Sequence, residues 1–268
     1  MNAIILGDGG FGRAIATALV DRGEPEPRVL GRPARGRHDP ADIAGDAAGP
    51  TIVFDASRGT AVQGNVEAAL EAGVRRFVIG TTAWEDSRST VERVLRQHGA
   101  AAVAASNLSL GVALFGRLVD RAVELFGPVE AFDPYIVEWH RRTKADRPSG
   151  TAKELSRRIL AAHPRKTRVA DPHANGSPAP DELDVAVVRA GGNPGSHLVG
   201  FDAAGESVEL RIVARDRSAY AFGALAAADW LAAAPRSPGL HSFDEVVDDA
   251  LGQAIPSTNR PVLVALPG

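Results

Sequence analysis

The first dozen residues restrict what this chain can fold into more than any other stretch. An apolar run, Ala3-Ile4-Ile5-Leu6, meets Gly7-Asp8-Gly9-Gly10-Phe11-Gly12, and a helical pattern follows over 13–22. Strand, glycine turn and helix in that order bring free backbone N–H groups and the positive end of a helix dipole to one point, where a pyrophosphate is attracted. Gly7, Asp8, Gly9, Gly10, Phe11 and Gly12 are therefore expected to cradle a dinucleotide; the other reading is a glycine turn of purely structural use. About 20 positions on, where an acid would bind the ribose 2′-hydroxyl of NAD, stands Arg32. With Arg35 and Arg37 close by, it suits the 2′-phosphate of NADPH, against the plainer reading of a solvated basic loop.

The pattern continues as it must if that unit starts a parallel sheet. Strands are expected over 28–30, 51–55, 77–79 and 101–105, with helices over 63–72 and 87–98. Strands alternating with helices mean a doubly wound, Rossmann-type parallel sheet in the α/β class. Around Asn107-Leu108-Ser109-Leu110-Gly111 the character changes, and a domain boundary is placed there. A long helix over 112–126 leads to a strand over 135–138, a polar run over 139–147 and a helix over 152–162. The Pro/Gly/Asn-rich segment 163–180 reads as an exposed loop, with His163 and His173 in solvent. Strands over 184–189, 197–202 and 207–214 follow without intervening helices, which argues for an open mixed sheet in a second, α+β domain. Helices over 220–234 and 243–251 close the pattern, and Asp248-Asp249 reads as a charged helix face.

Composition narrows the chemistry. The 268 residues contain no cysteine, which excludes disulfides, thiolate zinc sites, Fe–S clusters and a cysteine nucleophile. A net charge of -3 gives no electrostatic footprint for nucleic acid, and no apolar run reaches the ~18 residues a membrane span needs. The start carries no basic n-region, so a cytoplasmic protein acting on a small molecule is the expectation.

A second constellation is Glu138-Trp139-His140-Arg141-Arg142-Thr143-Lys144-Ala145-Asp146-Arg147-Pro148-Ser149-Gly150-Thr151. Only Lys144, Lys153 and Lys166 among the 30 basic residues are lysine, so a lysine amid three arginines invites a reason. Lysine can be tuned to release a proton, and arginine cannot. His140 is the other titrating group in reach, although a lone histidine in a polar loop is more often structural. Thr151-x-x-Glu154 matches a capping box, and a helix start there would bind carboxylates as readily as it is simply capped. A proton donor, a cation and a carboxylate cradle beside a nicotinamide domain point to hydride transfer to an anionic C=N or C=C substrate. No metal-ligand spacing stands out.

These residues resemble the 4-hydroxy-tetrahydrodipicolinate reductase family, also called dihydrodipicolinate reductase, of the diaminopimelate route to lysine. Its E-x-H-H-x-x-K-x-D-x-P-S-G-T-A signature is matched by Glu138, His140, Lys144, Asp146 and Pro148-Ser149-Gly150-Thr151-Ala152. Gly80-Thr81-Thr82, the 107–111 junction, Arg189-Ala190-Gly191 with Gly195 and His197, and the helix over 222–231 match as well. The resemblance implies a Rossmann domain (1–110 with 215–268) around a substrate and oligomerisation domain (111–214), assembled as a homotetramer. It further implies His140 as general acid with Lys144 as catalytic partner. Ser149, Gly150 and Thr151 fall in the substrate-carboxylate motif. Gly7 through Gly12, Gly80, Thr81, Thr82, Ala105, Ser106, Asn107 and Leu108 match the cofactor contacts, for NADPH or NADH.

Three departures stand out. The glycine turn is one residue shorter than the family's G-x-x-G-x-x-G. Arg141 replaces the second histidine, a substrate contact, and is able to hold a carboxylate bidentately or to signal another substrate. Gly192-Asn193-Pro194 stands where an aspartate is usual. A paralogue acting on another cyclic imine or enamine carboxylate, and a non-catalytic nicotinamide sensor, are the other readings at this point.

Overall fold

The computed structural model describes residues 1–33, 37–44 and 51–254. In chain order the elements are β1 (Asn2–Leu6), α1 (Gly10–Asp21), β2 (Arg28–Leu30), α2 (Pro40–Ala44), β3 (Thr51–Asp55), α3 (Val62–Glu71), β4 (Arg76–Ile79), α4 (Arg88–Gln97) and β5 (Ala101–Ala104). There follow α5 (Leu110–Phe126), β6 (Asp133–His140), α6 (Gly150–Ala162), β7 (Arg168–Val169), β8 (Glu182–Arg189), β9 (Ser196–Ala203), β10 (Glu206–Val213), α7 (Ser218–Ala233), β11 (Gly239–His241) and α8 (Phe243–Ala254).

Six strands pair all-parallel in the order β11-β5-β4-β3-β1-β2. Their apolar runs are continuous because both faces are covered. Alternate side chains go to opposite sides: Ala3, Ile5, Ile52, Phe54 and Val103 enter one cluster with α1, α7 and α8, while Ile4, Leu6, Val53, Phe77 and Ile79 enter another with α3 and α4. This is the expected doubly wound arrangement, and the C-terminal helices do pack on the first sheet. The alanines of α7 explain how. Ala221, Ala224, Ala227 and Ala228 are fully buried, and small side chains let the helix lie close to the strands. At Gly223 an added Cβ would overlap the Leu108 carbonyl oxygen, so α7 rests directly on the loop after β5.

The second sheet is mixed, in the order β10-β9-β6-β8-β7. The expectation of an open mixed sheet holds, but the strands are not a simple meander: β6 lies between β8 and β9, parallel to the first and antiparallel to the second. One face packs under α5 and α6 through Ile136, Leu183, Val199 and Phe201. The strand at β6 runs two residues beyond the apolar stretch because Trp139 and His140 keep ladder partners. Two short elements carried too few periodic residues to be foreseen, α2 and β11. The 163–180 segment is not all loop either: β7 pairs with β8 there. His163 is buried, its Nδ1 accepting from the Arg165 and Lys166 backbone N–H groups, which corrects the solvent placement. Asp248 and Asp249 do lie on a charged helix face, paired with Arg117 and with Arg236. No helix among the described residues is long and apolar enough to cross a membrane.

Gly223→Ala is expected to force α7 off the Leu108 carbonyl and to destabilise the fold by about 1–3 kcal/mol, the usual scale of overpacking. Thermal unfolding should show a clear drop in Tm; an unchanged Tm would mean that the two backbones separate freely.

Candidate active site

The second sheet places a polar cluster beneath the start of α6. Across the ladders Glu138 stands opposite His197 and His140 opposite Arg189. Residues 136, 138 and 140 share one face by the two-residue period of a strand, so Glu138 and His140 continue the face that Ile136 carries into the core. Glu138 is 0% exposed, and an isolated charge there would be prohibitively costly. It is not isolated. Its Oε1 accepts from the Ser149 backbone N–H at 2.9 Å and from Arg189 Nη2 at 2.8 Å. Oε2 faces His140 Nδ1 at 3.4 Å and His197 Nε2 at 3.6 Å. Burial pushes the Glu138 carboxyl up, but the facing His197 and the hydrogen bonds from Ser149 and Arg189 outweigh it and hold the group well below the usual carboxylate range.

The remaining groups of this segment surround the histidine. Lys144 Nζ pairs with Asp146 at 2.8 Å and is partly open to solvent. The turn that carries it is tied to the end of β8, Ala190 N donating to the His140 carbonyl and Arg142 N to that of Gly191. Arg189 Nη2 also donates to the Asp146 carbonyl at 2.6 Å. Ser149, not Thr151, caps α6: its Oγ accepts from Ala152 N at 3.2 Å. The expected capping box therefore does not form, because the helix begins two residues earlier and Glu154 turns to Arg157 and Arg158. With Ala152 N satisfied, the first-turn N–H groups at Gly150 and Thr151 are those a carboxylate would take.

The glycine turn lies on the other half. Gly7 has φ +117, where L side chains are strained, and an added Cβ would strike the Ala56 carbonyl. At Gly12 a Cβ would overlap the Gly7 carbonyl oxygen, so only glycine lets α1 start this close to its strand. Gly9 caps α1 with no side-chain hydrogen bond, leaving the helix start to an external anion. The Phe11 ring covers Gly80, with Leu108 beside it, so three expected cofactor positions converge. These observations fit a bound diphosphate. A hydrogen bond links this half to the start of α6: Asn107 Nδ2 donates to Thr151 Oγ1 at 3.3 Å, while Asn107 Oδ1 accepts from Ser109 N.

Comparison with known proteins agrees with this geometry. Residues 111–247 match the family described as Dihydrodipicolinate reductase, C-terminus. The 4-hydroxy-tetrahydrodipicolinate reductase of Rhodopseudomonas palustris (strain TIE-1) is 32% identical over 271 residues, covering 92% of this chain and 97% of its own. The chain belongs to the 4-hydroxy-tetrahydrodipicolinate reductase family. The reductase of Methanococcoides burtonii is 32% identical over 197 residues, covering 73% of this chain and 72% of its own. In fold it is similar to the dipicolinate-bound dihydrodipicolinate reductase from Paenisporosarcina sp. TG-14, with a TM-score of 0.65 at 19% identity, over 90% of this chain and 97% of that one.

As a member of this reductase family the chain is an oxidoreductase, and its expected site residues fall in three groups. His140 and Lys144 lie near one another beside the Glu138 cluster, Gly150 and Thr151 open α6, whose cap is tied to that cluster, and Arg141 is exposed. Ser149 is there too, but it is buried and spends its hydroxyl on the cap and on His197 Nε2 at 3.1 Å. Thr81 is buried and donates to the Asp55 carboxylate at 2.6 Å, with Thr82, Ala105 and Ser106 on the neighbouring loops. Arg32 is exposed at the end of β2, beside which the Asp8 carboxylate sits close to Gly31. Arg37 is taken up by both oxygens of Glu71, and Arg35 lies outside the described residues. Arg217 went unnoticed in the sequence: its guanidinium lies against Gly10, over the start of α1. Nothing near it in sequence signals this, since most of the described chain separates it from Gly10. The ligand atoms of Glu138, His140 and His197 lie within 4.8 Å of one another, but Arg189 already supplies the cation to that carboxylate.

The cluster predicts a pH response. Burial, the neighbouring His197, and the Lys144 and Arg189 charges outweigh the pull of Glu138 and lower His140 to about 4. An unfolded histidine titrates near ~6.5, so between these values the unfolded chain binds more protons and stability falls as pH falls. Burial lowers His38 and His163 as well, in the same sense. Tm should therefore decline from pH 7 to pH 5, and less steeply in His140→Gln; equal slopes would contradict the buried, neutral imidazole.

Proposed function

We propose that this chain reduces the cyclic imine formed from 4-hydroxy-tetrahydrodipicolinate to tetrahydrodipicolinate, with NADPH preferred over NADH. The observation that carries the reading is the convergence of His140, Lys144 and the start of α6 on one strand and turn, joined through Asn107–Thr151 to the glycine-turn half. When bound, the nicotinamide supplies a hydride. Gly7, Gly9, Gly10 and Gly12 hold the diphosphate through the open start of α1, and Arg217 places a guanidinium over it. Arg32 at the end of β2 meets the 2′-phosphate. The N–H groups of Gly150 and Thr151 hold one substrate carboxylate, and Arg141 is within the same segment to hold the other. His140 is neutral in the free chain, and the arriving dianion draws a proton onto it. His140, with Lys144 as its cationic partner, then donates one proton to the substrate atom on which charge accumulates after hydride arrives.

The division into 1–110 with 215–268 and 111–214 is part of this proposal, supported by the burial of α7 and α8 residues in the first sheet's core. So is a homotetramer in the cytoplasm. The second sheet leaves Trp139, Val188 and Val213 between 40% and 49% exposed on the face away from α5 and α6, where copies would meet. One observation favours a related second reading: Arg141 in place of the family's second histidine suits a different cyclic imine carboxylate.

The test is nicotinamide oxidation with the imine generated in situ from pyruvate and aspartate semialdehyde. Turnover is expected with NADPH faster than with NADH, and reduced roughly 10²-fold or more in Lys144→Ala and in His140→Ala. No turnover despite tight NADPH binding would overturn the substrate assignment. Arg217→Ala should weaken NADPH and NADH alike by roughly tenfold, the scale of one charge-assisted hydrogen bond, whereas Arg32→Ala should weaken NADPH alone. Fluorescence titration distinguishes the two; equal losses in both variants would remove the 2′-phosphate role from Arg32.

A further inference from the structure

We propose that Glu138 is a positioning residue: its buried carboxylate holds His140 with the proton on Nδ1, turns Nε2 toward the substrate, and fixes this ring to the helix start that receives the substrate carboxylate. The proposal deepens the reading of this site as a proton-delivering reductase centre and rests on it.

Two buried polar atoms among the described residues face each other without a hydrogen bond, Glu138 Oε2 and His140 Nδ1. They lie 3.4 Å apart. Hydrogen bonds of catalytic groups are commonly long before substrate arrives and tighten in the complex. A carboxylate facing Nδ1 stabilises the tautomer that carries its proton there. The opposite nitrogen has a different neighbour: a Cβ on Gly195 would lie 2.9 Å from His140 Nε2, so glycine keeps space beside that atom. When His140 gives its Nε2 proton away, it returns from imidazolium to the neutral Nδ1–H form, and Glu138 stays ionised throughout.

The carboxylate cannot move independently of the substrate-binding helix. Its other oxygen receives the backbone N–H of Ser149, the residue that caps α6, and Arg189 from β8. Ser149 Oγ in turn meets His197 Nε2 at 3.1 Å, and His197 faces Glu138 Oε2 at 3.6 Å. Strands β6, β8 and β9 and helix α6 thus all register on one group. The charged and titratable groups that face His140 are Glu138 from its own strand, Arg189 from β8, His197 from β9 and Lys144 from the turn after β6. Of these only Glu138 favours the protonated ring.

Glu138→Gln keeps the shape and the Oε1 contacts, but offers an amide N–H where Nδ1 needs an acceptor. The ligand-free chain labelled with ¹⁵N-histidine should show His140, assigned by its loss in His140→Gln, as the Nδ1–H tautomer, and Glu138→Gln should convert it to Nε2–H. In turnover the same variant should lose roughly 10²-fold or more in kcat, the scale on which misdirected tautomers reduce rate, with KM and NADPH affinity within about twofold. An Nε2–H tautomer in the unaltered chain, or a Glu138→Gln variant with unaltered tautomer and kcat, overturns the proposal. Should Glu138→Gln fail to fold, His197→Gln removes the competing imidazole from the same oxygen, and the alkaline limb of kcat, where the general acid loses its proton, should move to higher pH; no movement overturns it. The tautomer measurement needs no substrate. The expected tautomers in a chain that fails to turn over the imine support the positioning role and locate the error in the reaction assigned.

Discussion

Glu138 is a carboxylate placed on a core-facing strand position, and the second sheet is organised around the need to satisfy it. A strand alternates its faces, so a charge at position 138 shares its side with Ile136 and cannot reach water. The chain meets that cost with a backbone N–H from the cap of α6, a guanidinium from β8 and two imidazoles from β6 and β9. Each of these groups comes from a different part of the sequence, so surrounding this carboxylate also fixes where those parts lie. The start of α6, the His140 ring and the end of β8 are thereby set in one frame.

The cofactor half depends on a different constraint, the absence of side chains. Gly12 lets α1 begin against the Gly7 carbonyl, Gly80 receives the Phe11 ring, and Gly223 lets α7 rest on the Leu108 carbonyl. These close approaches draw the turn after β1, the loop after β4 and the loop after β5 to one side of the parallel sheet. Asn107, at the end of that last loop, then reaches Thr151. A hydride donor on the first half and a proton donor on the second need this proximity for any shared substrate.

Much of this was legible in the chain because local rules and global fold agree. The run Ala3-Ile4-Ile5-Leu6 before glycines could be read as a buried parallel strand, and the 138–151 segment carried its chemistry within a short span. What escaped was set by tertiary packing. Arg217 lies far in sequence from the turn it covers, and no periodicity marks it. Ser149 appeared as a carboxylate ligand, yet its hydroxyl is consumed by the cap and by His197, because the helix begins earlier than Thr151-x-x-Glu154 suggests. His163 appeared exposed in a polar segment, but two backbone N–H groups bend back onto its ring. The basic loop after β2 is divided by a partner that sequence spacing does not show, Glu71 holding Arg37 while Arg32 stays exposed.

In the proposed reading, the start of α6, His140 and Lys144 form one receptor for a planar dicarboxylate beside the glycine-turn half. A crystal structure of the chain with NADPH and dipicolinate tests it most directly. One carboxylate should lie on the N–H groups of Gly150 and Thr151, with the ring facing His140 Nε2 and the nicotinamide. A dicarboxylate seated elsewhere, or on α6 with its ring turned away from His140, would contradict the account.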